Sequence, residues 1–246
     1  MMSVPTVSPK PASDTSLRSR PSQDHGPVLL TALMLLGVAW TISQWSAASP
    51  PRLGPVEWAP QPQPLAMQGG DPYIRALMRT ISAAESNTRQ PYHVLYGGYQ
   101  VDDLSQHPET CITIVTGPNK GDCTTAAGRY QFLDTTWSAK AEKYHPQPPP
   151  WYEVWQHYSF EPQFQDAVVY RWLSDPSAWG VDLALLLRQG ELQRVLKILS
   201  GTWTSLGYGI EDNSMTTRLP RIYEAMLQEE LARTSAVPSK TSPGSS

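Results

Sequence analysis

Asp71-Pro72-Tyr73-Ile74-Arg75-Ala76-Leu77-Met78-Arg79-Thr80-Ile81-Ser82-Ala83-Ala84-Glu85-Ser86-Asn87 is the stretch on which the reading of this chain turns. Aspartate followed by proline starts a helix. The carboxylate accepts the first free backbone N–H groups, and proline at the first helical position has none to lose. Ile74, Leu77, Met78 and Ile81 then recur at the i, i+3, i+4, i+7 spacing of an amphipathic helix. Glu85, four residues after Ile81 and seven after Met78, shares their apolar face. Ser86-Asn87-Thr88 should end the helix, which puts Glu85 in its last turn. A carboxylate there is discouraged twice, by partial desolvation and by the negative end of the helix dipole, and both raise its pKa. A carboxyl group still protonated near neutral pH is what general-acid cleavage of a glycosidic bond requires. The same spacing also fits a solvated glutamate at a helix end.

Downstream of this helix the pattern changes. Val94-Leu95-Tyr96, Gly97-Gly98 and Tyr99-Gln100-Val101 read as a hairpin around a Gly-Gly turn. Ile112–Val115, followed by Gly117-Pro118-Asn119-Lys120-Gly121, reads as a further strand and turn. Helical signals then return. One helix starts at Asp134 or Thr135 and runs through Trp137, Ala141 and Tyr144, and another starts at Glu161-Pro162. Short apolar segments follow at Leu183–Leu187 and around Leu192, Val195, Leu196 and Leu199. A last helix runs from Ser214 to about Ala232. No repeat of 20–50 residues is present.

Upstream, residues 1–26 are Ser/Pro-rich without apolar period and read as a disordered cytoplasmic leader. No charged residue occurs from Gly26 to Pro51, and residues 27–46 are long and apolar enough for a membrane anchor. Ser46-Ala47-Ala48 also offers the small-residue site of a cleaved signal peptide. Lys10, Arg18 and Arg20 precede this span, so the positive-inside rule sends the rest of the chain out of the cytoplasm. Residues 47–70 read as a proline-rich linker, residues 71–233 as the folded domain, and residues 234–246 as a disordered tail.

The composition narrows the function further. The 246 residues carry a net charge of −3, which argues against a nucleic-acid binder. Residues 70–233 hold 14 basic and 19 acidic side chains. Nine tryptophans and eleven tyrosines stand against three phenylalanines, and aromatics with a polar edge suit a wet groove as well as a core. Two cysteines, Cys111 and Cys123, flank the second β segment. Outside the cytoplasm they should pair, closing a loop worth about 3 kcal/mol; the alternative is two free thiols. His93, His107, His145 and His157 show no ligand spacing, so neither metal nor cofactor is expected.

Several short motifs follow one another in order: Ala84-Glu85-Ser86-Asn87, Arg89-Gln90-Pro91-Tyr92, Tyr96-Gly97-Gly98, Leu104-Ser105-Gln106-His107-Pro108, Gly128-Arg129-Tyr130-Gln131-Phe132-Leu133, Phe164-Gln165-Asp166-Ala167-Val168 and Trp203-Thr204-Ser205-Leu206-Gly207-Tyr208-Gly209. From about Ile74 to about Leu231 this series resembles the lytic transglycosylases of the phage lambda endolysin type. The resemblance implies an α+β, lysozyme-like fold, mostly helical with a small β-hairpin lobe after the catalytic helix. It implies that Glu85 is the catalytic acid. It also implies cleavage of peptidoglycan between N-acetylmuramic acid and N-acetylglucosamine, closing a 1,6-anhydro ring without water. A hydrolytic muramidase and a non-catalytic wall-binding protein are the competing readings.

Tyr130, Gln131 and Tyr208 fall at expected substrate-binding positions, with half-buried core the alternative for Tyr130. Where the family has Tyr-Asp this chain has Tyr92-His93, which makes His93 a candidate cleft residue. Asp102, Asp103, Glu109 and Asp122, the acids of the β segment, read as solvated loop charges, the alternative being that one of them is the second carboxylate of a hydrolase. Trp137, Trp155, Trp172, Trp179 and Trp203 read as core, and Trp151 as a candidate outer subsite. The expected partners are peptidoglycan glycan strands and, through the N-terminal span, the inner membrane. The expected catalytic domain is monomeric and faces the periplasm.

Overall fold

The computed structural model describes residues 52–53 (backbone only), 61–117, 119–150, 157–208 and 215–236. The chain divides into two units, Met1–Ala47 and Ala48–Ser246, and every described residue belongs to the second. The expected leader, the span at 27–46 and most of the tail lie outside the described residues. Among the described residues no helix is long and apolar enough to cross a membrane.

Helix α1, Pro72–Glu85, starts as expected: the Asp71 carboxylate accepts from Tyr73 N at 2.9 Å and Ile74 N at 3.2 Å. It is not an amphipathic surface helix, however. Every residue from Ile74 to Ala83 is buried, including Arg75, Arg79, Thr80 and Ser82. Its apolar face joins the core, while its arginines meet the last helix and the segment preceding α1.

The β elements are brief. β1 (Arg52–Leu53) pairs antiparallel with β2 (Tyr99–Gln100), and β3 (Ile112–Thr113) pairs with β4 (Cys123–Thr124). The expected turn at Gly97-Gly98 is present, with Leu95 N donating to Tyr99 O at 2.7 Å. The ladder partner of β2 nevertheless comes from the stretch read as linker. Cys111 and Cys123 form a disulfide with Cα atoms 5.4 Å apart. Helices α2 (Asp134–Tyr144), α3 (Pro162–Leu173), α4 (Pro176–Trp179), α5 (Leu183–Arg188), α6 (Leu192–Leu199) and α7 (Leu219–Ala236) complete the described domain. This is the expected mostly helical α+β layout, with the β lobe inserted between α1 and α2. α7 packs along α1 as its main helical partner.

The largest departure from expectation lies at residues 61–70. Asp71 caps the helix as read, but within residues 61–70 the chain is already packed from Pro62 onward. Leu65 is in the core, and the backbone around it is held from both sides. Arg79 donates to Pro62 O at 2.9 Å, Arg129 to Gln63 O and to Pro64 O, and Arg75 to Met67 O and Gly69 O. A proline-rich stretch has carbonyls without a ladder to join and few N–H groups. Guanidinium groups, which only donate, are its natural complement. Two of its N–H groups are bonded as well: Ala66 N and Met67 N donate to Asp166 Oδ2 at 2.6 and 3.2 Å. Glu230 on α7, 1% exposed, balances Arg75 and Arg79 at 2.7 and 3.1 Å. The strap enters α1 at Gly70, whose φ is +97° and where a Cβ would stand 2.7 Å from the Tyr170 ring.

Asp166, fully buried on α3, is the centre of this arrangement. Besides the two strap amides it accepts from the hydroxyls of Tyr92 at 2.7 Å and Tyr130 at 2.6 Å. The Tyr92 hydroxyl in turn accepts from Arg129 at 2.8 Å, so it bridges the buried cation and the buried anion. Burial, and next the charge of Asp166, push the Tyr92 hydroxyl well above its usual range, so it stays a donor. Neighbouring Gln165 accepts from Arg129 N at 2.9 Å and donates to Phe160 O and Tyr92 O. Gly128 is required beside it, since a Cβ there would meet Gln165 Oε1 at 2.3 Å.

His107 joins the β lobe to the helical core. Its Nε2 bonds Phe132 O at 2.9 Å, its Nδ1 accepts from Glu109 N at 3.1 Å, and its ring meets Phe160 edge-on. Burial lowers its pKa from the ordinary 6.5, and burial does the same to His145.

Two outcomes follow from this packing. Asp166→Ala should cost about 3–5 kcal/mol in urea unfolding, because it strands a buried cation and two hydroxyls. Amide exchange in residues 61–70 should rise first; a loss under about 1 kcal/mol would mean that the arginines hold the strap by themselves. For His107 the unfolded state takes up a proton that the folded state refuses. Its contribution is therefore complete above pH 6.5 and is lost as pH falls through the depressed folded pKa. His107→Gln should flatten the decline of Tm between pH 6.5 and pH 5, and an unchanged slope would contradict this.

Candidate functional site

The C-terminal end of α1 opens into a cleft of about 950 Å³. Its lining includes Glu85, the turn Tyr96–Gly98, Gln131, Lys140, Trp172 and the segment Gly201–Thr204. Two buried contacts set the position of Glu85. The Ser86 amide closes the helix on Ser82 O at 2.8 Å, and the Ser86 hydroxyl donates to Arg129 O at 2.7 Å. The helix end is thereby tied to the Gly128–Leu133 motif. From the opposite side the Ser205 hydroxyl donates to Glu85 Oε1. Ser205 lies in a single 3-10 turn, Thr204–Leu206, whose preceding residue Trp203 donates its indole N–H to Tyr130 O at 3.1 Å.

Charge is scarce in this cleft. Among the described lining residues Glu85 is the sole acid and Lys140 the sole base. Asp102, Asp103, Glu109 and Asp122 are exposed and do not line it. Asp103 is held below the ordinary carboxylate range by the Ser105 N–H and hydroxyl. No group of three or more His, Cys, Asp or Glu able to hold a metal occurs among the described residues.

The site residues expected from sequence divide in two. Glu85 and Gln131 line the cleft. Gln131 has a left-handed φ of +47°, held by its own amide, which donates to Gly128 O at 2.9 Å and Val94 O at 3.2 Å. Tyr130 borders the cleft but is 0% exposed, with its hydroxyl spent on Asp166. Its ring has no open face on which a sugar could stack. Tyr208 is exposed at φ +65°, bonded to Gln193 of α6, and does not line the cleft. His93 turns inward, its Nδ1 at 2.8 Å from Val101 O, and also stands apart from the lining.

Among the tryptophans, Trp137 is core as expected. Trp172 and Trp203, 5% and 4% exposed, belong to the core and also back the cleft. Trp151 and Trp155 lie outside the described residues. Sequence reasoning did not single out Ser205 or Lys140. Ser205 sits inside a quoted motif in which the neighbouring tyrosine drew attention instead. Lys140 occupies the i+3 position between Trp137 and Ala141–Tyr144, a lysine in the apolar spacing of α2 and half-buried there.

The sequence model of the family "Endolysin" matches residues 75–228. The endolysin of Escherichia phage lambda is 25% identical over 149 residues, covering 59% of this chain and 82% of that protein. Among solved structures, the lysozyme from bacteriophage lambda has a TM-score of 0.45 at 22% identity, covering 67% of this chain and 97% of its own. A structure of bacteriophage lambda lysozyme complexed with a chitohexasaccharide gives 0.45 at 24% identity, with the same coverage. The family match spans more than half of the sequence, from the first turn of α1 into α7, and the chain belongs to the endolysin family.

Proposed function

We propose that this chain is a peptidoglycan lytic transglycosylase. It cleaves the β-1,4 bond between N-acetylmuramic acid and N-acetylglucosamine and leaves a 1,6-anhydro product. Membership of the endolysin family supports the broader part, a glycoside-cleaving enzyme acting on peptidoglycan. The finer part rests on one observation: Glu85 is the sole carboxylate among the described residues lining the cleft. A hydrolase working with two carboxylates sets them about 5–9.5 Å apart across the bond. Intramolecular attack needs only one.

In the first step the Glu85 proton passes to the glycosidic oxygen as the bond from C1 breaks, and the N-acetylglucosamine side leaves as an alcohol. In the second, the muramic C6 hydroxyl attacks C1 and gives its proton to the Glu85 carboxylate. The acid is regenerated and no water is consumed. Proximity of the C6 hydroxyl replaces an activated water. The Ser205 hydroxyl fixes the plane of the carboxyl group throughout. Gln131 remains the substrate-binding candidate on the cleft wall.

The Cys111–Cys123 bridge supports an exported setting, since such bonds persist in oxidising compartments. An inner-membrane anchor or signal peptide at residues 27–46, with the domain on the periplasmic side, is proposed from sequence only. The second reading, a hydrolytic muramidase, shares the cleft and the acid and differs in using water as nucleophile.

Mass spectrometry of digested sacculi separates the two, because anhydro products are lighter by one water. Glu85→Gln should lower release of soluble fragments by about 10²–10⁴-fold; equal release by both proteins would remove Glu85 from the chemistry. Ser205→Ala should lower kcat roughly tenfold with KM little changed, as expected when a group that positions the acid is lost.

A further inference from the structure

Lys140, in the middle of α2, takes no part in the acid–base chemistry, yet it is the one cation among the described residues of the cleft. Its ammonium stands 4.2 Å from the centroid of the Trp172 ring. Lys143, one turn further along the same helix, is paired with Asp175 at 2.8 Å. Lys140 has no hydrogen bond or ion pair with any described residue, and the indole face is its described partner. An ammonium group has three donors and no acceptor, and a ring face satisfies none of them as a hydrogen bond.

The platform under Lys140 is held by its neighbours. Trp172 stacks on Trp179 at 5.1 Å, and the Trp179 indole N–H donates to Trp172 O at 2.8 Å. Trp172 also meets Trp203 at 5.3 Å, and two residues beyond Trp203 the Ser205 hydroxyl reaches Glu85. The cation and the acid are therefore held by one connected stretch of cleft wall. Residues 70–233 carry a surplus of acidic over basic side chains, so Lys140 is not part of a general basic field.

We propose that Lys140 recognises a carboxylate of the glycan substrate and selects carboxylate-bearing strands over neutral ones. This inference rests on the function proposed above and adds the substrate class to it. A polymer of N-acetylglucosamine has no carboxylate. A muramic residue has one, either free on its lactyl group or, when that group is amidated by a peptide stem, on the stem itself. Both sources present the same planar anion to the ammonium group, which pairs with it as a charge-assisted donor.

Binding is measured in the full chain carrying Glu85→Gln, so that no ligand turns over. Four ligands are titrated calorimetrically: chitohexaose, a denuded muramic-containing hexasaccharide, the same hexasaccharide with peptide stems, and a stem-bearing form whose carboxylates have been amidated. Adding Lys140→Met should weaken binding of at least one carboxylate-bearing ligand about tenfold while changing chitohexaose by less than about twofold. Lys140→Arg should restore most of the loss. Loss on the denuded strand assigns the lactyl carboxylate; loss confined to the stem-bearing strand, and absent from its amidated form, assigns the stem. Equal weakening of chitohexaose, or no change with any ligand, overturns the proposal and leaves Lys140 as packing on Trp172. If the Glu85→Gln protein binds none of the four, the proposed function fails and this inference with it. A matching urea midpoint shows that Lys140→Met is folded.

Discussion

A carboxylate without access to water, Asp166, is the constraint from which the rest of the molecule follows. A buried charge is tolerable only when its hydrogen bonds are complete. Here they are completed by chain segments that are far apart in sequence: the strap amides of Ala66 and Met67, the Tyr92 hydroxyl and the Tyr130 hydroxyl. Satisfying one side chain therefore fixes where the strap, the segment after α1, the Gly128–Leu133 motif and α3 meet. The cleft inherits this precision through two carbonyls. Arg129 O takes the hydroxyl of Ser86, next to Glu85, and Tyr130 O takes the indole of Trp203, two residues before Ser205. Glu85 and the Ser205 hydroxyl are thus hung on opposite sides of the same buried network.

The polar residues of the Gly128–Leu133 and Phe164–Val168 motifs look at first like substrate-contacting groups. Most of them face inward. Arg129, Tyr130, Gln165 and Asp166 are buried and bonded to one another, to Tyr92 or to backbone. What they leave to the cleft is shape, backed by tryptophans, with very little charge. A neutral, ring-rich groove suits a sugar chain whose polarity lies in hydroxyl and amide groups.

Local signals carried the elements well. Asp71-Pro72 and the apolar spacing behind it located α1, and with it the half-buried place of Glu85 at a helix end. Asp175-Pro176 repeats the same start signal for α4, but a helix of one turn has no periodicity to accompany it, so it escaped notice. What stayed illegible is tertiary. Tyr130 and Tyr208 are indistinguishable as letters, yet one is sealed against Asp166 and the other is bonded to α6 outside the cleft. His93 turns toward a backbone carbonyl that only the β2 turn brings near. Residues 61–70 read as linker because proline-rich composition resembles a tether. Nothing local reveals that arginines on α1 and in the Gly128–Leu133 motif will collect their carbonyls. Ser205 and Lys140 were hidden for the same reason, since their significance lies in a carboxylate and an indole that are distant along the chain.

The strap has a consequence for the order of events when such a chain is made or threaded N-terminus first. It emerges ahead of every group that holds it. Ala66 must wait for Asp166, 100 residues later, and Arg75 for Glu230, 155 residues later. Until α7 arrives, Arg75 and Arg79 lack their buried counter-charge and α1 lacks its main helical partner. Contacts of such long range are the last to be rewarded during folding. A chain cut before α7 therefore lacks the counter-charge of both arginines and the helix against which α1 is laid.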